Sequence, residues 1–416
     1  MHSADPAHAD TGPSAARQLS PARRSLLIAA ILSGNAAAAL LYDALPPILA
    51  DLADMLGGGA HGQFLAQLAS TLPMLGVMIS GLFSGLLIAS VGIRPVHLCA
   101  LVLFALFGSA GAFIDQPLLL LGSRFVMGCA IGTMITCGTT LIAAWFSGED
   151  RARMNGWLVS AGAIAAIGFL FIAGQVASLW WRAPFLLHGL VGIMLLAPVL
   201  SLHALPAAAP PPLGTQMGHV ARLRRLAPVT PVYLIALGLF VLMLLFNVQT
   251  TFLMSDAGIT SHARIAAVFM VNAAAVTLAS VGFGYVASRF TPVNAMRIVF
   301  LMVAGSMLIV GSAQAQWQFA LGLGISGIGV GMGLTTLWTW TMQRAPADVV
   351  PHAVGLMMTC MYLGGAASPF VLAPVRAMFG LRGQYFAMAG LVVAVLLLLA
   401  MLGRGRSMRP APQDGR

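Results

Sequence analysis

The chain has too little charge to cover a soluble surface: Asp, Glu, Lys and Arg together make 8% of its 416 residues, where a soluble domain carries roughly 25%. It has no lysine, so all 21 of its basic residues are arginine. Against 11 acids, that excess would suggest nucleic acid in a soluble protein, and the positions of the arginines decide the matter. Cys99, Cys129, Cys137 and Cys360 form no C-x-x-C pair, which leaves them as small apolar residues and argues against metal sites or disulfides. No G-x-x-x-x-G-K-[ST], H-E-x-x-H or G-x-S-x-G occurs, and no polar stretch is long enough for a nucleotide-binding domain. An ATP-driven pump or an embedded hydrolase is therefore not expected, nor any cofactor. A membrane sensor or receptor without transport would ordinarily carry a signalling domain, and both tails here are short.

What fills the chain is apolar sequence, 59% by composition, with a mean hydropathy of +0.92. A span needs about 20 apolar residues to cross the hydrocarbon core. Six such stretches run near Ser25 to Ala50, Leu65 to Val91, Val96 to Phe113, Leu118 to Phe146, Asn155 to Ala177 and Pro184 to Leu202. Six more run near Pro231 to Leu253, Ile265 to Ser288, Ala295 to Ala313, Trp317 to Gln343, Ala353 to Phe379 and Tyr385 to Leu402. The pattern predicts an all-α membrane protein of twelve transmembrane helices in two six-helix pseudo-symmetric halves.

With a cytoplasmic amino terminus, one set of loops and tails holds Arg17, Arg23, Arg24, Arg94, Arg151, Arg153, Arg222, Arg224, Arg225, Arg289, Arg297, Arg344, Arg404, Arg406, Arg409 and Arg416. The other set holds Arg182, Arg264, Arg376 and Arg382. Basic loops stay on the cytoplasmic face during insertion, so both termini are expected there, in the plasma membrane, or the cell inner membrane if the source is Gram-negative. Topology and anionic lipid account for the charge without nucleic acid. Residues 1–24 are polar and lack a signal-peptide core, so they are expected as a disordered tail, as are 404–416. Bundles are expected over 25–203 and 231–403, joined by a cytoplasmic linker over 204–230, where Pro206, Pro210, Pro211 and Pro212 block a helix.

The halves resemble each other. Trp181-Arg182-Ala183-Pro184-Phe185 precedes the sixth span and Leu381-Arg382-Gly383-Gln384-Tyr385 the twelfth, 200 residues on. Gly85-Leu86-Leu87-Ile88-Ala89-Ser90 ends the second span and Gly284-Tyr285-Val286-Ala287-Ser288-Arg289 the eighth, 199 residues on. A duplicated six-span unit is the build of transporters whose site lies between the halves. Glycine pairs at helix-packing spacing, Gly81 with Gly85, Gly128 with Gly132, Gly327 with Gly331 and Gly329 with Gly333, fit close helix contact.

Charge inside hydrocarbon costs about 2.5–3.5 kcal/mol on insertion scales, so it needs a partner or a task. Asp43 and Arg124 are the two candidates. On a rise of about 1.5 Å per residue they lie roughly 10 Å and 9 Å below the outer ends of the first and fourth spans. On neighbouring helices they would meet, and protonating Asp43 would release Arg124, coupling a proton to cargo. A static bridge, or Arg124 snorkelling to headgroups with Asp43 in external water, fits the same positions. Pro46 and Pro47 should bend the first span there and leave it partly hydrated. Tyr42, Asn247, Gln249, Asn272 and Tyr362 are polar at intermediate depth and are candidates to bind a small-molecule substrate, although such residues also bond between helices. His188 and His203 are expected at wet span ends, and Trp338 and Trp340 in the interfacial belt.

From Ser25 to Gly403 these features together resemble the major facilitator superfamily. Gly85-Leu86-Leu87-Ile88-Ala89-Ser90-Val91-Gly92-Ile93-Arg94 is similar to its loop motif G-x-L-a-D-R-x-G-R-R, with Ala89 for the acid and Ser90 for the first arginine. The resemblance implies conformational gating by Gly85, Gly92 and Arg94, and by Gly284 and Arg289 in the second copy, with Glu149 or Asp150 as substitute acids. Leu120-x-x-x-Arg124-x-x-Met127-Gly128-x-Ala130 resembles the fourth-span motif whose arginine is implicated in proton coupling. Asp43-Ala44-Leu45-Pro46-Pro47 resembles the first span of the twelve-span drug/proton antiporters. Their fifth-span proline motif is missing at Gly168-Phe169, while Gly364-Gly365-Ala366-Ala367-Ser368-Pro369 has its flavour in the eleventh span. The implied protein is a monomeric, alternating-access secondary transporter for protons and a small amphipathic compound, by export. Proton-coupled uptake of a metabolite or organic anion is the alternative.

Overall fold

The computed structural model describes residues 15–204, 225–346 and 349–406. Most of the expected linker lies outside these residues; of the expected tails, 15–24 and 404–406 are described, with a 3₁₀ turn over Ala15–Gln18, a helix that already begins at Pro21 and another that runs on to Arg406. The described chain is helical and contains no β-strand, as hydrocarbon demands of a backbone that must satisfy its own hydrogen bonds. Eleven helices among the described residues are long and apolar enough to cross a membrane.

In chain order the helices are α1 (Pro21–Asp43), α2 (Leu49–Met55), α3 (Gly59–Val91), α4 (Ile93–Ser109), α5 (Pro117–Trp145), α6 (Gly148–Leu179) and α7 (Ala183–Ser201), followed by α8 (Thr230–Leu244), α9 (Thr250–Asp256), α10 (His262–Arg289), α11 (Pro292–Ser312), α12 (Gln316–Arg344) and α13 (Val350–Arg406). At 57 residues, α13 would measure about 85 Å if straight, far beyond a hydrocarbon core of about 30 Å. Gly380 breaks it with φ 73° and ψ 179°, a conformation open to glycine and strained for other residues. Its two limbs, 350–379 and 381–406, supply the eleventh and twelfth crossings.

The first crossing is bent where the prolines stand. α1 stops at Asp43, Pro46–Ile48 makes a 3₁₀ turn, and α2 continues. The expected hydration is not found: Pro46, Pro47 and Ile48 are buried, and the Thr251 hydroxyl donates to the Pro46 carbonyl at 3.0 Å. The second half of the molecule covers the carbonyl that water was expected to reach.

Two apolar cores form. One gathers residues from Ala16 to Leu202 together with Leu244, Val248 and Phe252; the other takes Leu170 and residues from Leu226 to Val392. Large side chains such as Leu179, Leu278 and Val281 are exposed on the outside, the normal surface of a bundle solvated by lipid. Buried hydroxyls are satisfied locally, as when Ser84 donates to the Ser80 carbonyl and Thr336 to that of Met332.

The internal repeat is built into the packing. A Cβ on Gly128 of α5 would overlap the Pro73 carbonyl of α3, and one on Gly327 of α12 would overlap the Asn272 carbonyl of α10. Both members of the second contact lie 199 residues beyond those of the first, and Gly132 against Val77 and Gly331 against Val276 repeat the relation. Gly81 and Gly85, at the same spacing, face open space and do not pack. The two arginines 200 residues apart do matching work: Arg182 donates to the Ala112 carbonyl at 3.5 Å, and Arg382 to those of Gly311 and Ala313 at 3.1 and 2.9 Å. Each caps the carbonyl end of a neighbouring span, where the last turn has no intrahelical donors.

Candidate functional site

Between α8 and α9 the chain makes a π-helical turn, Leu245–Gln249. A π turn shifts the hydrogen-bond ladder by one residue and recurs at functional positions. Here it is braced from α13: the Tyr385 hydroxyl donates to the Leu245 carbonyl at 3.1 Å and lies 3.0 Å from the Thr250 hydroxyl. Asn247 and Gln249 both ride on this turn, and they face different surroundings.

Asn247 lines a small pocket, with room for a water or two in this state, together with Met243, Phe246, Phe269, Asn272, Leu323, Ser326 and Val330. The structure thus brings Asn247 and Asn272 to one chamber, from spans seven and eight. Asn272 donates its Nδ2 to the Leu323 carbonyl at 2.8 Å, which fixes its amide. The Ser326 hydroxyl is buried without a hydrogen-bond partner among the described residues. None of the eight lining residues is charged. Nothing in the local sequence of Ser326, Phe246 or Phe269 marked them for this place; they follow from helix facing once α10 and α12 pack.

Gln249 does not open into this chamber. It is buried, and its Oε1 accepts from Arg376 Nη1 at 2.8 Å. Tyr42 and Tyr362, one from each half, both pack partly buried against the first core.

Asp43 and Arg124 form no ion pair in this state. Asp43 ends α1, half-buried, just before the proline turn. Arg124 is fully buried on α5, and its three guanidinium nitrogens have no hydrogen-bond partner among the described residues. The cation faces the Phe185 ring of α7, 5.5 Å from its centroid, and so does not snorkel. His188, expected at a wet interface, is instead fully buried beside Phe104, with ring centroids 5.4 Å apart. Its Nδ1 pairs with the Phe185 carbonyl at 2.9 Å, leaving Nε2 without a partner among the described residues. The apolar register of α7 turns this histidine inward, a direction its distance from the span end does not reveal. His203 is exposed, as expected. Trp340 is buried, with the Arg344 guanidinium 5.2 Å from its ring.

At the end of the bundle carrying the termini, Gly92 (φ 93°) joins α3 to α4 and Arg94 opens α4. Gly85 is exposed near the end of α3, and Arg289 closes α10. Gly284 lies in α10, and its surroundings are outside the described residues. Asp150 accepts two hydrogen bonds from Arg17, at 2.7 and 2.9 Å.

At the opposite end four contacts tie the halves. They are Thr251 to the Pro46 carbonyl, His262 Nε2 to Asp51 Oδ2 at 2.9 Å, Arg376 Nη2 to Gln63 Oε1, and Phe64 edge-on to Phe370 with centroids 5.8 Å apart.

Two repeated bundles meeting across a seam, with a neutral chamber and a bridged end, define a membrane transporter. The sequence matches the family model of the Major Facilitator Superfamily over residues 18–369, and the chain belongs to that family. It is a multi-pass secondary transporter and not an enzyme. None of the curated proteins matches its sequence. Its fold is similar to the nucleoside transporter NupG, at TM-score 0.69 and 13% identity, covering 92% of this chain and 99% of that one. It is also similar to a bacterial homologue of the human lysosomal transporter Spinster, inward-facing and unoccupied, at TM-score 0.72 and 13% identity over 92% and 96%. The human organic anion transporter MFSD10 (TETRAN) is similar at TM-score 0.59 and 18% identity over 91% and 100%.

Proposed function

We propose that the protein exports a small, neutral, amphipathic organic compound in exchange for protons, by alternating access, as in the drug/proton antiporter group. The arginine asymmetry supports termini in the cytoplasm and the tied end outside, in the plasma membrane. The bundle acts as a monomer, with 25–203 and 231–403 as its two moving bodies. Cargo sits against the π turn, where Asn247, Asn272 and Ser326 offer hydrogen bonds and Phe246 and Phe269 offer apolar surface. Tyr42 and Tyr362, which lie outside this chamber, are assigned to cargo contact in another state of the cycle. The helix ends at Gly85, Gly92 and Arg94, and at Gly284 and Arg289, gate the cytoplasmic end.

The observation that carries proton coupling is the isolation of Arg124. A buried charge with one partner missing is costly by about 3–5 kcal/mol, so a countercharge belongs to another state of the cycle. Asp43 stands next to a proline turn that lets the end of α1 move, and its carboxylate is the group we assign. When it carries a proton it stays apart; when it loses the proton it pairs with Arg124. Proton-coupled uptake of an organic anion is the second reading, favoured by the same free guanidinium as an acceptor for a carboxylate.

Proton movement in inverted vesicles, followed across neutral, cationic and anionic compounds, separates the two, because antiport and symport give opposite pH responses. Neutral compounds are expected to draw protons out of acidified vesicles. Asn272→Leu is expected to raise KM for the active compound about tenfold, the effect of removing one or two hydrogen bonds. Transport of anions alone, in the same direction as protons, would reject export.

A further inference from the structure

We propose that Arg376 is the positioning residue that links the cargo chamber to the outer gate; this deepens the transport function proposed above and rests on it. Arg376 sits in the first limb of α13, four residues before the break at Gly380. One arm of its guanidinium, Nη1, holds Gln249 of the π turn, and the other, Nη2, holds Gln63 of α3 in the opposite half. The Phe252 ring lies 5.6 Å from the same cation. A planar fork suits two acceptors at once, and an ammonium group does not.

Both acceptors are neutral amides, so the latch has charge-assisted bonds without the depth of an ion pair. Reforming the π turn as α-helix shifts the register by one residue, which rotates the downstream helix by about 100°. Gln249 then leaves Arg376, and the guanidinium loses the support that holds it on Gln63. Cargo that seats against Asn247, two residues earlier on the same turn, biases that step. The outer gate therefore opens in answer to the chamber.

The test uses the full chain with its four native cysteines replaced and spin labels at Ala60→Cys and Thr260→Cys. Both positions are exposed at the tied end, one in each half. Pulsed EPR without added cargo is expected to show one dominant short distance in the parent. Arg376→Gln and Gln63→Leu should each raise the long-distance fraction about tenfold, the worth of one charge-assisted hydrogen bond. Gln249→Leu should raise it in the same direction by a smaller factor. If Arg376→Gln misfolds, Gln63→Leu and Gln249→Leu still decide. An unchanged distribution in Gln63→Leu would overturn the latch, and a silent Gln249→Leu would overturn its link to the chamber. Because the labels need no transport, shifted distances in a protein that moves none of the panel compounds would sink the proposed cargo cycle and leave the latch standing.

Discussion

Arg124→Met is expected to cut proton-driven accumulation by at least about a hundredfold, in keeping with the functional weight of intramembrane ionisable residues, while the protein becomes more resistant to heat. The two effects share one cause. Arg124 is sealed in an apolar site with none of its nitrogens hydrogen-bonded among the described residues, and replacing such a charge by an apolar side chain of similar reach often stabilises by about 1–4 kcal/mol. Methionine keeps the contact with Phe185 and removes the cost. Thermal unfolding in detergent and accumulation in proteoliposomes, made on the same preparation, check both halves of the expectation. A lower unfolding temperature with transport intact would show that the cation is structural.

Gly128→Leu and Gly327→Leu are each expected to destabilise the bundle by at least about 3 kcal/mol, the upper end of ordinary overpacking, with loss of most monodisperse protein in size-exclusion chromatography. At both sites the first added carbon meets a backbone carbonyl on the neighbouring span, and backbone cannot step aside as a side-chain tip can. The repeat predicts equal damage in the two halves. Gly81→Leu and Gly85→Leu provide the contrast: nothing lies near a Cβ at either position, so both variants should purify normally.

The crossings were legible because hydropathy is a local property and lipid permits little besides helices. The repeat was legible in two short motifs, and Arg182 and Arg382 turn out to cap equivalent helix ends. Asn247 and Asn272 share a chamber because the π turn and α10 present them to the same gap against α12. What escaped the sequence depends on direction and on distant partners. His188 stands near a span end yet turns inward. Arg376 counts as an outer arginine in the topology, while its bonds to Gln249 and Gln63 exist only after residues 127 and 313 positions away have packed. The π turn leaves no mark in the apolar run of α8. The expectation for Asp43 and Arg124 rested on equal depth, and equal depth does not fix which way two side chains point.

The most direct measurement of the central claim compares two modes of transport in one variant, Asp43→Asn, reconstituted in proteoliposomes with the active compound. Counterflow exchange needs the halves to alternate with cargo bound and needs no net proton movement; accumulation driven by a pH gradient needs both. The account predicts counterflow within about twofold of the parent and gradient-driven accumulation at background, since only the proton-carrying group is lost. Full gradient-driven accumulation by Asp43→Asn would contradict it.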